Sequence, residues 1–444
     1  MSQRISHRQF LSIAFPMILS NITVPLLGLV DTAVVGHLPD AAFLGGIAVG
    51  NMLMTFLIWL FGFMRMSTTG LVAQAFGQSD FKKVQRHLMQ SGLMALILAG
   101  FIILFQYPIA QITWVLTGAS EIVTTHAETY FSIRVWGLPA ATLNLVFLGV
   151  LIGLQKGKGP MALLIISNLV NMSLDVLFVF GFNWEIAGVA WASVIAEYTG
   201  LFIALYLLRD HISQIVLQIK TKTFRLFSKQ TSFKHLILVN RDILIRSLTL
   251  QLCFVFMTMQ GAKLGDEIIA ANTVLLNFFM LISFVLDGVA YAAEAQIGQA
   301  AGRKDHNIMK QSLSIATLWT GCFTLVFTLL FFLGGKTLVS LLTDLDSVRQ
   351  TAQPYLIWLA VLPLVATWCF LLDGVFVGLM DTKSMRNMML ISAMCGFLLP
   401  WSLTQHWGNH GLWFAMNCFM LTRSLSLGGV FFKRHWRDVA APAS

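Results

Sequence analysis

Charge is scarce in this chain. Only 11% of its 444 residues are Asp, Glu, Lys or Arg, against 57% hydrophobic, and the mean hydropathy is +0.76. A soluble domain carries roughly 25% charged residues, so water cannot be the solvent of this surface and lipid must be. Cysteine is sparse too. Cys253, Cys322, Cys369, Cys395 and Cys418 all fall inside apolar stretches of the second half, which excludes an exported disulfide framework. No Gly-x4-Gly-Lys-Ser/Thr phosphate loop and no His-Glu-x-x-His occurs, which removes those routes to ATP and zinc. His406 and His410 are spaced i, i+4 but flank Trp407-Gly408-Asn409 with no acidic third ligand, so neither a metal nor a cofactor is expected. No nucleophile, metal or paired acid and base marks an enzyme. The first apolar stretch contains Pro16, Asn21, Pro25 and Asp31 and lacks a small-residue cleavage site, so no cleaved signal is expected.

What is present is a series of apolar runs long enough to span hydrocarbon, roughly 20 residues each. They predict an all-α polytopic membrane protein with twelve transmembrane helices, over 9–36, 42–75, 88–112, 122–154, 161–182, 188–208, 240–262, 266–300, 309–333, 350–379, 387–403 and 411–432. The runs are continuous rather than alternating, which selects helices over a barrel. The net charge of +9 is unevenly placed. With both termini in the cytoplasm, most Lys and Arg fall on that side, including Lys82, Lys83, Arg86, Lys156, Lys158, Arg303, Lys304, Lys383 and Arg386. Lys263, Lys336 and Arg349 fall on the other. That asymmetry predicts a multi-pass inner (plasma) membrane protein whose basic charge faces lipid headgroups, with no nucleic-acid partner.

The chain also repeats itself at a fixed offset of 225 residues. Gln74-Ala75-Phe76-Gly77 recurs as Gln299-Ala300-Ala301-Gly302; Thr142 maps to Thr367, Gly149 to Gly374 and Gly153-Leu154 to Gly378-Leu379. After a two-residue slip, Trp184, Gly188 and Ala192 meet Trp407, Gly411 and Ala415. One register held across several spans predicts two pseudo-symmetric six-helix lobes, 1–208 and 240–444, joined by a basic cytoplasmic linker over 209–239 with an amphipathic stretch from Ile212 to Phe227. An even number of spans per lobe makes the repeats parallel, an architecture that moves solutes by rocking.

Polar residues inside the apolar runs are the candidate machinery, because a charge at the bilayer centre costs about 2.5–3.5 kcal/mol on insertion scales. In the first span Asp31 follows Pro16, Asn21 and Pro25; the prolines each remove a backbone donor and favour a bend that protonation of Asp31 would switch. In the fifth, Asn168, Asn171 and Asp175 at i, i+3, i+7 share one face, as a cavity lining or an interhelical ladder. Glu197 in the sixth is expected to take Arg65 as its structural charge partner or to join the substrate cavity, and Arg134 and Glu128 are candidate neighbours. In the second half Asp287, Tyr291 and Glu294 share a face, and Asp287 with Asp373 forms a possible second cation site, with Arg246 and Arg423 available to neutralise it.

These residues resemble the multidrug and toxic compound extrusion (MATE) transporters, in the bacterial branch of the DNA-damage-inducible protein F type. The resemblance spans essentially the whole chain and rests on Pro16 to Thr23, Leu29 to His37, Arg65 to Leu71, Ala73 to Gly77, Ile195 to Tyr198 and Leu371 to Gly374. It implies twelve helices in two lobes and export of cationic amphiphiles in exchange for H+ or Na+, most simply by a monomer. The family's first-helix carboxylate falls on Asp31, its bending proline on Pro16, its fifth-helix Asn and Asp on Asn171 and Asp175, and the tenth-helix acid on Asp373. The Na+-coupled branch also has a seventh-helix Glu, whereas 243–260 here contains Gln251 and Arg246 and no acid, which favours proton coupling through Asp31 and Asp175. Flippases for lipid-linked sugars are the competing reading of the same architecture.

Overall fold

The computed structural model describes residues 5–35, 41–221 and 233–436, and among these it contains helices and turns but no strand. Its long helices are α1 (His7–Val35), α2 (Ala42–Gly77), α3 (Phe81–Leu104), α4 (Glu121–Gly153), α5 (Lys158–Gly181), α6 (Glu185–Leu207), α7 (Phe233–Lys263), α8 (Asp266–Arg303), α9 (His306–Leu342), α10 (Asp346–Leu379), α11 (Thr382–Trp407) and α12 (Asn409–Arg434). The first eleven contain stretches long and apolar enough to cross a membrane. The twelfth is diluted by Asn409, His410, Asn417, Arg423, Lys433 and Arg434, yet its 26 residues reach about 39 Å at 1.5 Å each. The expected third span, 88–112, is corrected: α3 ends at Leu104, and a separate short helix, Gln106–Thr117, follows. Pro108 lies in the first turn of that short helix, where its missing N–H leaves no broken bond.

The duplication is visible in backbone geometry. Left-handed residues lie 225 apart, Ser79 with Lys304 (φ 57° each) and Gln155 (φ 58°) with Met380 (φ 60°); after the slip, Glu185 (φ 47°) meets Gly408 (φ 57°). Each of the first two positions ends one helix and turns the chain into the next. Asp80 then caps α3 through the Lys83 N–H (2.9 Å), as Asp305 caps α9 through Ile308 (3.0 Å). Packing repeats as well. A Cβ on Gly149 would stand 2.6 Å from the Arg65 carbonyl oxygen, and one on Gly374 2.5 Å from that of Ala290. One turn on, Gly153 meets the Thr69 oxygen at 2.9 Å and Gly378 that of Glu294 at 2.8 Å. Two glycines spaced i, i+4 therefore let α4 press on α2, and α10 on α8, backbone to backbone, the small-residue packing by which membrane helices associate.

The residues group into two compact units, one of 1–18 with 238–444 and one of 19–237. Helix α1 is thus divided. In the first unit the Ile5 N–H donates to Gln311 (3.0 Å) and Ile18 lies against Gly288. In the second, Thr23 of α1 accepts from Asn168 of α5 (2.8 Å). The amphipathic stretch expected from Ile212 is a helix, Arg209–Lys220, tied to Gln85 of α3 through Gln214 (2.6 Å) and Gln218 (2.8 Å); its expected continuation past Thr221 lies outside the described residues.

At the start of α11 a charged cap gives a pH test. Asp381 accepts from the Ser384 N–H (3.2 Å) and faces His435 (3.1 Å) and Arg434 (3.8 Å). Partial burial pushes its pKa up, but hydrogen bonds from His435 and Ser384 outweigh that and hold it below the ordinary carboxylate range. A lowered folded pKa contributes stability above the unfolded value and loses it as pH falls through the folded one. Asp381→Asn keeps the cap and removes the charge. The melting temperature of the purified protein should therefore drop in the variant at pH 7, with the gap to wild type closing as both are taken below pH 4. Parallel curves would show the charge to be idle.

Candidate functional site

The stripe on α5 meets two neighbours. Asp175 and Asn171 are buried, 0% and 3% exposed, against α6. With the Asn171 amide in the orientation that satisfies both its ends, its nitrogen donates to Asp175 Oδ2 (3.0 Å) while its oxygen accepts from Ser193 Oγ (3.0 Å) and the Ser193 N–H (3.1 Å). Asn168, half-buried, donates to Thr23 Oγ1 on α1 (2.8 Å), and Thr23 in turn donates to the Ser20 carbonyl (2.6 Å). The stripe is a hydrogen-bonded ladder linking α5 to α6 at one end and to α1 at the other. The open groove on α5, about 260 Å³ and lined by Ile166, Leu169, Val170, Ser173 and Leu174, is on the opposite face. As a carboxylate Asp175 accepts from the Asn171 amide; only its protonated form would have a hydrogen to donate in return.

On α1 the helix runs through both prolines, with Pro16 half-buried, Pro25 exposed and Asn21 buried. Pro16 cannot donate to the Ser12 carbonyl, nor Pro25 to that of Asn21, so two turns of the helix lack one backbone bond each. The Asp31 side chain lies outside the described residues.

Glu197 corrects an expectation. Its partner is Arg134, at 2.7 Å, and not Arg65. The Glu197 carboxylate packs against Gly137, where any side chain would collide with it, and α4 passes through a short 3-10 turn at Val135–Gly137 that aims Arg134 across. Asn144 donates to the Glu197 carbonyl (2.8 Å) and Tyr198 to that of Trp136 (3.1 Å), locking α6 to α4 on both sides of the pair. Glu128 accepts instead from Gln111 (3.1 Å). Arg65 is buried in α2, beneath Gly149. No local pattern announces the 134–197 pair; only Gly137 beside an in-membrane arginine hints at a space kept for another side chain.

In the second half Asp373 accepts through the same oxygen from Arg246 and from Arg423 (2.9 Å). The neutralisation that the sequence allowed is complete, and two guanidiniums against one carboxylate leave nothing there to attract Na+, so a cation site at Asp373 is corrected. Asp287 is half-buried on α8 and Glu294 is buried two turns on.

A bundle of membrane-crossing helices built as two copies of one unit, with buried carboxyl and amide groups in the spans, is the architecture of a secondary transporter. Residues 16–177 and 243–401 match the MatE family model, once in each half, and the chain belongs to that family of multidrug and toxic-compound efflux transporters. It is 43% identical over 429 residues to DNA damage-inducible protein F of Escherichia coli (strain K12), covering 96% of this chain and 92% of that one. To the probable multidrug resistance protein NorM of Photorhabdus laumondii it is 23% identical, covering 92% and 91%. Among solved structures, a MATE protein in complex with MaD3S matches with a TM-score of 0.84 at 18% identity, covering 98% of this chain and 96% of that one. An outward-facing multidrug resistance MATE family transporter of the MOP superfamily matches at 0.83 and 16%, with the same coverage. The fold is theirs.

Proposed function

We propose that this transporter exports cationic amphiphiles across the inner (plasma) membrane in exchange for H+, as a monomer with both termini cytoplasmic and with lobes 1–208 and 240–444 joined by the linker 209–239. The observation that carries the reading is the buried Asp175, hydrogen-bonded by Asn171 beside Ser193, on a helix that also grips α1 through Asn168 and Thr23. An ionised carboxylate there accepts hydrogen bonds; a protonated one donates, so uptake of H+ reverses the polarity of the ladder. Because α1 is weakened at Pro16 and Pro25, a change at its Thr23 contact, together with protonation of Asp31, repacks or bends the helix. Substrate cation and proton compete for the same oxygens, and that competition couples them. Na+ has less support, since α7 carries no acid within 243–260 and Asp373 is held by arginines.

The test is dye efflux from proteoliposomes under an imposed gradient. A cationic dye should leave against its own gradient when a pH gradient is imposed, and stop when a protonophore collapses it. Efflux driven by a Na+ gradient at uniform pH would reject proton coupling.

A further inference from the structure

The charge balance around Asp373 favours an anion. Its Oδ2 is shared by Arg246 of α7 and Arg423 of α12, which leaves the trio with an excess positive charge. The next acid along that face of α7, Asp242, does not offset it, being held by Arg241 (2.8 Å) and Arg386 (2.7 Å). Donors are in surplus as well. A guanidinium has five N–H groups. Arg423 aims Nη2 at Asp373 and Nη1 at the weak acceptor Met420 Sδ (3.2 Å), while Arg246 aims Nη2 at Asp373. The Nε–H of both is buried and meets no acceptor among the described residues. Arg423 is only 1% exposed, with the Phe419 and Phe370 rings 5.5 and 6.0 Å from its Cζ. Unmet guanidinium donors at such burial are costly, and the group that satisfies them edge-on, two bonds at a time, is an oxyanion.

We infer that Arg246 and Arg423 form an oxyanion-binding site, with Asp373 as the resident counter-ion that a carboxylate, sulfonate or phosphate on an amphiphile replaces. The site belongs to the unit of residues 1–18 and 238–444 and is independent of which ion drives export. It extends the substrates from cations to amphiphiles that carry an anionic group, or it seats an anionic lipid.

Dansylglycine and dansylcadaverine, one fluorophore with opposite charges, test this on the full-length protein in nanodiscs of neutral lipid. Dansylglycine should bind saturably. Arg246→Gln should weaken it about tenfold, as expected for loss of a hydrogen bond to a charged group. Asp373→Asn should tighten it by about as much by removing the competitor, with dansylcadaverine changed little in either. Removing one member of a buried trio can unfold a protein, so wild-type protein supplies a second readout. Phosphatidylglycerol added to the discs displaces the dye if the natural oxyanion is a lipid headgroup and leaves it bound if it is a solute's. No saturable dansylglycine binding to wild type, or equal binding by wild type and by variants that elute and melt like it, overturns the site.

Discussion

Asp175→Asn should reduce pH-driven dye efflux in proteoliposomes to the background of empty vesicles, with Asp31→Asn doing the same, while both variants elute and melt like the parent. The argument is chemical. Asparagine fills the volume of aspartate and its amide oxygen can still accept from the Asn171 amide, whose own oxygen keeps its bonds to Ser193, so the ladder from α5 to α6 stays closed. What it cannot do is bind and release a proton. One-for-one exchange of H+ for a monovalent cation moves no net charge, so the pH gradient supplies the drive, about 1.4 kcal/mol or about tenfold in solute per pH unit. A variant that carries no proton forfeits that drive entirely, whereas a variant that only loosens the ladder keeps it. Ser193→Ala is the matched control: it removes one hydrogen bond worth about 1 kcal/mol and should slow efflux without uncoupling it from pH. Wild-type rates from Asp175→Asn would move the coupling proton off α5 altogether, and wild-type rates from Asp31→Asn would move it off α1.

The contrast between what was legible in the sequence and what was not follows from the kind of interaction involved. The repeat was readable because its anchors are backbone demands. Ser79 and Lys304, or Gly149 and Gly374, answer the same turn or the same close approach, so similar residue types recur at one spacing. The α5 stripe is readable because polar groups stand out against an apolar helix; spacing alone favours a cavity lining over an interhelical ladder, and the structure adds that Asn171 and Asp175 are buried and hydrogen-bonded. Pairings between distant helices carry no such local mark. Arg65 and Arg134 are both plausible partners for Glu197 on charge alone, and only the approach of α4 to α6 at Gly137 selects Arg134. The division of α1 at Ile18 is equally silent, because the helix is continuous in hydrophobicity while its packing changes. The break at Phe105 was missed for a related reason: apolar residues on both sides hide a turn that only Pro108 signals.

Arg134→Met or Glu197→Met alone should destabilise the protein by about 3–5 kcal/mol, the usual effect of leaving one half of a buried ion pair behind. Both side chains are largely covered, 11% and 16% exposed, and Glu197 Oε2 and Arg134 Nε have no other acceptor or donor among the described residues. The orphaned group would sit in a site with little water, pressed against Gly137. The double variant Arg134→Met with Glu197→Met removes both charges and should recover most of the loss, since well-packed apolar side chains replace buried pairs at little or no net cost. Melting in detergent, with the coupling energy taken from the four-member cycle, measures this. Transport by the double variant then assigns the role of Glu197. If the pair only locks α6 to α4, restored folding restores pH-driven efflux; if Glu197 also contacts the cation, the double variant melts like wild type and exports nothing. The two outcomes separate cleanly because Asn144 and Tyr198 hold the same two helices together through backbone carbonyls that neither substitution touches.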